Sequence, residues 1–265
     1  MKTIKRGCKG DEVITLQQAL HITADGIFGA VTENAVKRFQ KEHGLDADGI
    51  VGPNTWKVLG IIDNRCVDTA VIYSPLSKCL TKSPGRSIKY LAIHYTAGSS
   101  SAPGRALSMK KYWEQAMRAS ADFGVDDRDI YQFNPDLLNY KCWSVGDKKN
   151  PYSGGGSLYG VANNSNTISI EICSNIQSGA SKDAPNHDGW YFTDEALNNA
   201  VKLAKILMRK FNIPIERVVR HYDISGKICP GVIGWNNYFC YDKNGKRTGK
   251  KNDSAAWLAF KKRLL

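Results

Sequence analysis

Three potential metal ligands, one of which lies far from the other two in the sequence, place the strongest constraint on how this chain folds. His221 and Cys229 are close together, and the turn-forming pair Pro230-Gly231 follows them. Zinc binds neutral imidazole and thiolate, and a catalytic zinc site needs three protein ligands with one position left for water. The third ligand must come from elsewhere, and His94 follows the apolar run Leu91-Ala92-Ile93. The fold is therefore expected to bring the end of a buried strand to the 221–229 segment, at a cleft.

A strand-end histidine combined with a distant His-x7-Cys motif resembles the zinc-dependent N-acetylmuramoyl-L-alanine amidases of the peptidoglycan-recognition superfamily. The resemblance implies that His94, His221 and Cys229 bind Zn²⁺, and that Lys227 is a catalytic residue. It also implies a substrate, the amide bond between N-acetylmuramic acid and the first L-alanine of the peptidoglycan stem peptide. An ammonium group over the open metal position would stabilise the oxyanion that forms when an amide carbon becomes tetrahedral.

Cys173 is a second candidate thiolate, because it also ends an apolar strand-like segment, residues 167–173. Cys229 is favoured, since only this cysteine has the family spacing from His221 and Lys227.

The candidate general base is a carboxylate inside that same segment. Glu171 alternates with Ile170 and Ile172, so its side chain is expected on the opposite face of the strand. A carboxylate in an apolar strand is costly unless it is paired or functional. The resemblance implies that Glu171 faces the zinc and acts as general base on the attacking water. A structural salt bridge is the alternative interpretation.

Three further residues are candidates for substrate contact. Thr96 follows the first strand and is also expected to cap the next loop. Asp122 lies in the segment Ser120-Ala121-Asp122-Phe123, where many relatives carry Ser-Ala-His or Gly-Tyr-Asn. Trp143 lies in Cys142-Trp143-Ser144-Val145-Gly146, which resembles the Trp-His-Ala-Gly segment that lines the family's substrate groove. A position in the core is the alternative for Trp143.

An internal repeat marks the first sixty residues. The sequence Ala24-Asp25-Gly26-Ile27-Phe28-Gly29 recurs as Ala47-Asp48-Gly49-Ile50-Val51-Gly52, and Asp-Gly pairs of this kind form turns. Helices are predicted at residues 11–20 and 32–43, and a third from Pro53, which suits a first helical position. The arrangement resembles the small peptidoglycan-binding domain that precedes many wall hydrolases. Residues 1–60 are therefore predicted to be a three-helix domain that binds peptidoglycan.

The remaining sequence predicts a linker followed by an α/β domain. Residues 61–86 mix polar residues with proline and glycine, which is typical of a linker. Residues 87–265 are predicted to be the catalytic domain, with a mixed central sheet flanked by helices. The predicted strands are 89–94, 122–125, 130–133, 167–173 and 218–220, and the predicted helices are 106–119, 193–211 and 254–265.

Charge and composition limit the partners. The formal net charge of +12 favours an anionic partner, either a nucleic acid or the phosphate- and carboxylate-rich bacterial wall. No base-reading motif accompanies the basic residues, so peptidoglycan is the expected partner and nucleic acid is not. The sequence contains no apolar run of about 18 residues, so no membrane span is predicted. The protein is expected to be a monomer.

The N-terminal residues and the cysteines bear on the location and biological role of the protein. The first residues lack the apolar core of a secretory signal, which suggests synthesis in the cytoplasm and later release to the wall, in the periplasm or outside the cell. A removed leader is the alternative. A phage endolysin is the favoured role, and a bacterial autolysin, a delivered toxin or a non-catalytic recognition protein are alternatives. Of the seven cysteines, Cys66 and Cys79 would close a short loop in an oxidising compartment.

Overall fold

The chain divides into two units, Met1–Asp63 and Asn64–Leu265. The computed structural model describes residues 3–59, 71–146, 155–180, 189–241, 247–251 and 253–265. Cys66 and the first part of the predicted linker lie outside these residues. The rest of that segment contains strands β1 (Val71–Tyr73) and β2 (Leu80–Lys82). Residues 71–86, predicted to be linker, therefore belong to the larger unit.

The N-terminal unit contains the three predicted helices. They are α1 (Asp11–Ala19), α2 (Ala30–Glu42) and α3 (Pro53–Val58). Their inward faces form a small core with the residues around the two Asp-Gly turns. The buried core residues are Ile4, Val13, Leu16, Phe28, Val36, Val51 and Trp56.

A buried glutamine holds each copy of the repeat. The side-chain amide of Gln17 donates to Asp25 Oδ1 at 2.7 Å and to Thr32 Oγ1 at 3.0 Å. Its carbonyl oxygen accepts the backbone N–H of Gly26, which has a positive φ of 73°. Gln40 makes the equivalent bonds in the second copy, to Asp48, Thr55 and Gly49. Each glutamine thus forms hydrogen bonds both to the Asp-Gly turn and to a threonine near the start of the following helix. These satisfied buried polar groups stabilise the unit.

The larger unit is built on a six-stranded mixed sheet. In spatial order its strands are β1, β5 (Ile130–Gln132), β4 (Phe123–Val125), β7 (Thr167–Ile172), β3 (Tyr90–Tyr95) and β10 (Val218–Arg220). Only the β4–β5 pair is antiparallel in this sheet. Three further antiparallel pairs join β2 to β6 (Tyr140–Cys142), β8 (Asn175–Ile176) to β9 (Trp190–Tyr191), and β11 (Phe239–Tyr241) to β12 (Arg247–Lys251).

Helices cover both faces of the sheet, which confirms the predicted α/β architecture. They are α4 (Arg105–Ala116), α5 (Asp194–Phe211), α6 (His221–Ser225) and α7 (Ala255–Lys262), with a 3-10 turn at Ile215–Arg217. The apolar stripe of α5 packs on one face of β3 and β7. As predicted, Thr193 caps α5, and its hydroxyl accepts the N–H of Ala196 at 3.2 Å. In the described part of the chain, no helix combines the length and apolarity needed to cross a membrane.

Candidate metal centre

The site is assembled at the edge of the sheet where three parallel strands end. His94 on β3 lies directly opposite Glu171 on β7. Arg220, the last residue of β10, pairs with Ile93 on the other side of β3, so His221 follows at the same edge. Crevices at the carboxyl ends of parallel strands are common binding sites in α/β proteins. The sheet topology thus brings together residues that are far apart in sequence.

The three predicted ligands converge. The ligand atoms of His94, His221 and Cys229 all lie within 4.8 Å of one another, and Cys229 Sγ is 3.7 Å from His94 Nδ1. All three side chains are buried. His94 Nε2 and His221 Nδ1 have no hydrogen-bond partner in the structure. His94 turns Nδ1 toward Cys229 Sγ, and the N–H of Gly146 donates to His221 Nε2, which leaves His221 Nδ1 without a partner. Buried polar atoms are normally satisfied, so this unpartnered nitrogen of His221 fits a site that holds a metal ion.

Burial sets the protonation of this cluster. Burial, with a smaller contribution from the Lys227 ammonium, lowers the pKa of His221 to about 3. Burial, then His221 and Lys227, lowers the pKa of His94 well below the usual range. Both imidazoles are therefore neutral, which is the form that binds metals. Burial raises the pKa of the Cys229 thiol to about 12. Because a metal binds the thiolate, binding to this cluster requires release of the Cys229 proton.

Glu171 and Lys227 accompany the ligands. Glu171 Oε1 is 3.9 Å from His94 Nδ1, and 15% of the side chain is exposed. Its Oε2 atom has no hydrogen-bond partner, and no described lysine or arginine forms an ion pair with it, so the salt-bridge interpretation gains no support. Burial raises the pKa of Glu171 to about 8, and the nearby Lys227 ammonium opposes that rise. Lys227 itself is exposed.

A local cap shapes the segment that carries His221. The backbone N–H of Arg220 donates to Asp223 Oδ2 at 2.8 Å, and the guanidinium donates to Asp223 Oδ1 at 2.6 Å. α6 ends at Gly226, whose φ of 79° is readily adopted by glycine. The chain then returns, and the N–H of Tyr222 donates to the carbonyl of Cys229 at 3.0 Å. This closed turn brings Cys229 back toward His221.

The C-terminal helix supports the same turn through Arg220. Arg220 Nη1 donates to Ser254 Oγ at 3.0 Å and to the carbonyl of Trp235. The guanidinium also lies 5.5 Å from the ring centroid of Trp257, within cation–π distance. Trp257 in turn packs on Trp235 and Phe260. We call Arg220, Asp223, Ser254 and Trp257 the arginine clamp.

Cys173 is not part of the metal cluster. It is buried in an apolar group with Trp113, Phe133 and Cys142, so the geometry favours Cys229 as the thiolate ligand. Thr96 caps the loop that follows β3, as predicted. Its hydroxyl accepts the backbone N–H of Gly98 at 3.2 Å.

The structure does not bring Asp122 to the site surface. Its side chain is fully buried, and its carboxylate accepts the N–H of Ser169 at 2.8 Å and the amide of Asn134 at 2.6 Å. Arg86 Nη1 lies 3.7 Å away. With both oxygens engaged inside the protein, Asp122 has a structural role in place of the predicted substrate contact.

Trp143 is half-buried at the start of a loop that reaches the metal centre. Its indole N–H donates to Thr81 Oγ1 at 2.8 Å. Three residues later, the N–H of Gly146 points to His221 Nε2 at 3.5 Å. Asn164 Oδ1 holds this loop by accepting the N–H of Val145 at 2.9 Å. Sequence analysis missed Asn164, since a single asparagine in a polar turn carries no specific signal.

A cleft of about 450 Å³ was also missed. It is lined by the loop Thr96–Ser100, by Cys173 and by one face of α4. The α4 residues at the cleft are Arg105, Ser108, Met109 and Tyr112. Their helical spacing predicts a shared face, but the sequence does not show which loop lies opposite that face.

Fold and site together define an α/β protein with a buried His/His/Cys cluster of the kind that can hold a metal ion. Residues 84–232 match the family described as N-acetylmuramoyl-L-alanine amidase, and residues 9–59 match a family of peptidoglycan-binding domains. The chain therefore belongs to the N-acetylmuramoyl-L-alanine amidase family and carries an N-terminal peptidoglycan-binding domain of a second family.

The chain is also similar to individual curated proteins and to a solved structure. The chain is 32% identical over 151 residues to the N-acetylmuramoyl-L-alanine amidase CwlH of Bacillus subtilis, covering 56% of this chain and 50% of CwlH. It is 32% identical over 126 residues to the zinc D-Ala-D-Ala carboxypeptidase of Streptomyces albus G, covering 44% and 45%. The solved catalytic domain of XlyA aligns with a TM-score of 0.47 and 27% identity, covering 74% of this chain and 99% of that domain. The alignments span about half the length of these two curated relatives.

Proposed function

We propose that this protein hydrolyses the amide bond between N-acetylmuramic acid and L-alanine in bacterial peptidoglycan, with Zn²⁺ at His94, His221 and Cys229. The observation that carries the proposal is the convergence of these three side chains within 4.8 Å, with the carboxylate of Glu171 beside them. Membership of the amidase family supports the choice of substrate and bond.

The donor set supports zinc as the metal. Two neutral imidazoles and one thiolate are typical ligands of a catalytic zinc site. The zinc carboxypeptidase among the relatives agrees with this choice. When bound, zinc would polarise the substrate carbonyl and lower the pKa of a water molecule.

Glu171 and Lys227 carry out the proton transfer and the charge stabilisation. The ionised form of Glu171 accepts a proton from the attacking water as the new C–O bond forms, and its unpartnered Oε2 atom is free for this role. Because burial raises the pKa of this carboxyl to about 8, the fraction able to act as base grows as the pH rises toward that value. The Lys227 ammonium stabilises the oxyanion of the tetrahedral intermediate. When the C–N bond breaks, Glu171 returns the proton to the leaving amine of L-alanine.

The N-terminal unit would supply attachment to the wall. It matches a peptidoglycan-binding family over residues 9–59 and contains none of the proposed catalytic residues. We infer that a monomer acts on the wall after release from the cytoplasm, in the manner of an endolysin.

Mass spectrometry of purified muropeptides after digestion tests the function. Hydrolysis is expected to yield a free L-alanine amine and an unsubstituted lactyl carboxylate on N-acetylmuramic acid. A zinc-loaded protein that sediments with walls yet releases no L-alanine amine would indicate a recognition protein and would refute the proposal.

A further inference from the structure

The cleft beside α4 adjoins the candidate metal centre, because the residues of that centre on β3 and β7 are each followed, two positions later, by a residue that lines the cleft. Thr96 follows His94 by two positions, and Cys173 follows Glu171 by two positions. Side chains two residues apart on extended strands share a face and are about 7 Å apart. The strand pairing continues to this point, because the N–H of Thr96 donates to the carbonyl of Ile172 at 3.0 Å. The cleft therefore begins where a substrate chain would leave the reacting centre.

Arg105 supplies a positive charge to this cleft. It is exposed on the first turn of α4 and lines the cleft. Within the part of the chain that the structure describes, its guanidinium makes no ion pair or hydrogen bond. A free guanidinium in a cleft favours a planar anion, since it can bind a carboxylate through two parallel hydrogen bonds.

A buried carboxylate fixes the backbone around Arg105. Asp126 Oδ2 accepts the N–H of Gly104 at 2.9 Å and that of Ala106 at 3.2 Å. Asp126 Oδ1 accepts the backbone N–H groups of Arg128 and Asp129. Because four backbone donors occupy this carboxylate, it positions Arg105 without bonding to its guanidinium.

Apolar groups continue the cleft along α4. Met109 and Tyr112 lie on the same helical face as Arg105, and 56% of the Tyr112 side chain is exposed. An exposed tyrosine ring beside a cation is suited to packing against a peptide while its hydroxyl stays in water. A volume of about 450 Å³ is within the range of cavities that bind small ligands.

We propose that this cleft binds the stem peptide and that Arg105 pairs with a free carboxylate on it, so that the enzyme prefers acidic stem peptides to amidated ones. Arg105 is then a specificity-determining residue. This inference rests on the proposed function, because it assigns the leaving side of the substrate to the cleft.

The test compares synthetic N-acetylmuramyl peptides in which each free carboxylate is replaced in turn by a carboxamide. Wild-type protein is expected to lose about 10- to 100-fold in kcat/KM when one particular carboxylate is replaced, as for a charge-assisted hydrogen bond. On every peptide that retains this carboxylate, Arg105→Ala should lower kcat/KM by the same factor, because KM rises. On the peptide that lacks this carboxylate, the kcat/KM of Arg105→Ala should be close to that of the wild-type protein. Arg105→Lys should recover part of the effect.

Lys111→Ala provides the matched control, since Lys111 is exposed on α4 but does not line the cleft. It should leave every KM unchanged. The inference is wrong if Arg105→Ala leaves all KM values at the wild-type level. It is also wrong if Arg105→Ala raises KM for the fully amidated peptide as much as for the peptides with free carboxylates. Binding of the same peptides to zinc-loaded Glu171→Gln protein, measured by calorimetry, examines the cleft without hydrolysis. Failure of the cleft and failure of the amidase function can thus be distinguished.

Discussion

At the scale of single residues, the site depends on polar atoms that the protein buries and leaves unpaired. His94 Nε2, His221 Nδ1 and Glu171 Oε2 are buried without a hydrogen-bond partner. Each such atom costs folding free energy, on the order of 1–3 kcal/mol. A metal ion and a reacting water would satisfy His221 Nδ1 and Glu171 Oε2, so the cost of burying these two atoms is consistent with a site organised before the ligand arrives.

The first prediction separates catalysis from metal binding. Glu171→Gln keeps the side-chain shape but cannot accept a proton, and Lys227→Met keeps most of the stem but loses the charge. Each change is expected to lower turnover on the order of a hundredfold, because both groups act on the transition state. Turnover on muropeptides and zinc content by elemental analysis are measured together. Wild-type turnover in both variants would contradict the mechanism.

The second prediction concerns the thiolate ligand. Cys229→Ala is expected to abolish stoichiometric zinc, because it removes one of three ligands. Cys173→Ala should retain zinc, since Cys173 lies in the apolar group outside the cluster. Metal analysis of both purified variants provides the comparison. Zinc lost from Cys173→Ala but retained in Cys229→Ala would reverse the ligand assignment.

The roles of individual residues could be predicted from the sequence for some positions and not for others. Residue type and spacing point to His94, His221 and Cys229, because few side chains bind zinc and one motif contains two of them, but the preference for Cys229 over Cys173 came from the family resemblance. Asp122 was placed wrongly because a sequence does not show that Ser169 and Asn134 will occupy its carboxylate. Such pairing across strands exists only after the chain has folded.

At the scale of elements, the arginine clamp connects α6 to α7. We predict that Ser254→Ala, which removes one hydrogen bond to Arg220, weakens zinc binding by up to about tenfold. The reason is that groups supporting a metal site typically contribute 10- to 100-fold when lost, and Ser254 acts through Arg220. The zinc dissociation constant is measured by competition with a chelator.

Leu258→Ala is the control, because Leu258 is 64% exposed on the same helix. Trp257→Phe keeps an aromatic ring under the guanidinium and should retain most of the affinity. Thermal unfolding of the zinc-free variants shows whether Ser254→Ala also changes global stability. Unchanged zinc affinity in Ser254→Ala would show that the clamp does not position the ligands.

The long helix α5 and the buried strands were predictable, and the partly exposed short strands were not. The amphipathic pattern and the Thr193 cap locate α5 to within a residue at its start. Among the strands of three residues, β4, β5 and β10 are fully buried and were predicted. By contrast, β1, β2 and β6 are partly exposed, so neither a buried apolar run nor an alternating pattern marks them. Consequently, the segment from residue 71 to 86 looks like a linker in sequence although β1 pairs with β5.

At the scale of the whole molecule, attachment and catalysis are assigned to different units. Removal of residues 1–60 is expected to preserve hydrolysis of small muropeptides, because the N-terminal unit has its own core and no proposed catalytic group. Sedimentation with intact sacculi should weaken, since the matched peptidoglycan-binding domain is lost. Equal pelleting of the full-length and shortened proteins would refute the targeting role.

The arginine clamp has a consequence for recombining this protein with others. The region of family similarity ends at residue 232, yet Trp235, Ser254 and Trp257 lie beyond it and contact Arg220. A module cut at the limit of similarity would carry every proposed ligand and still lose the support behind His221. A transferable catalytic module therefore has to extend through α7. Homology alone would place its boundary about thirty residues too early.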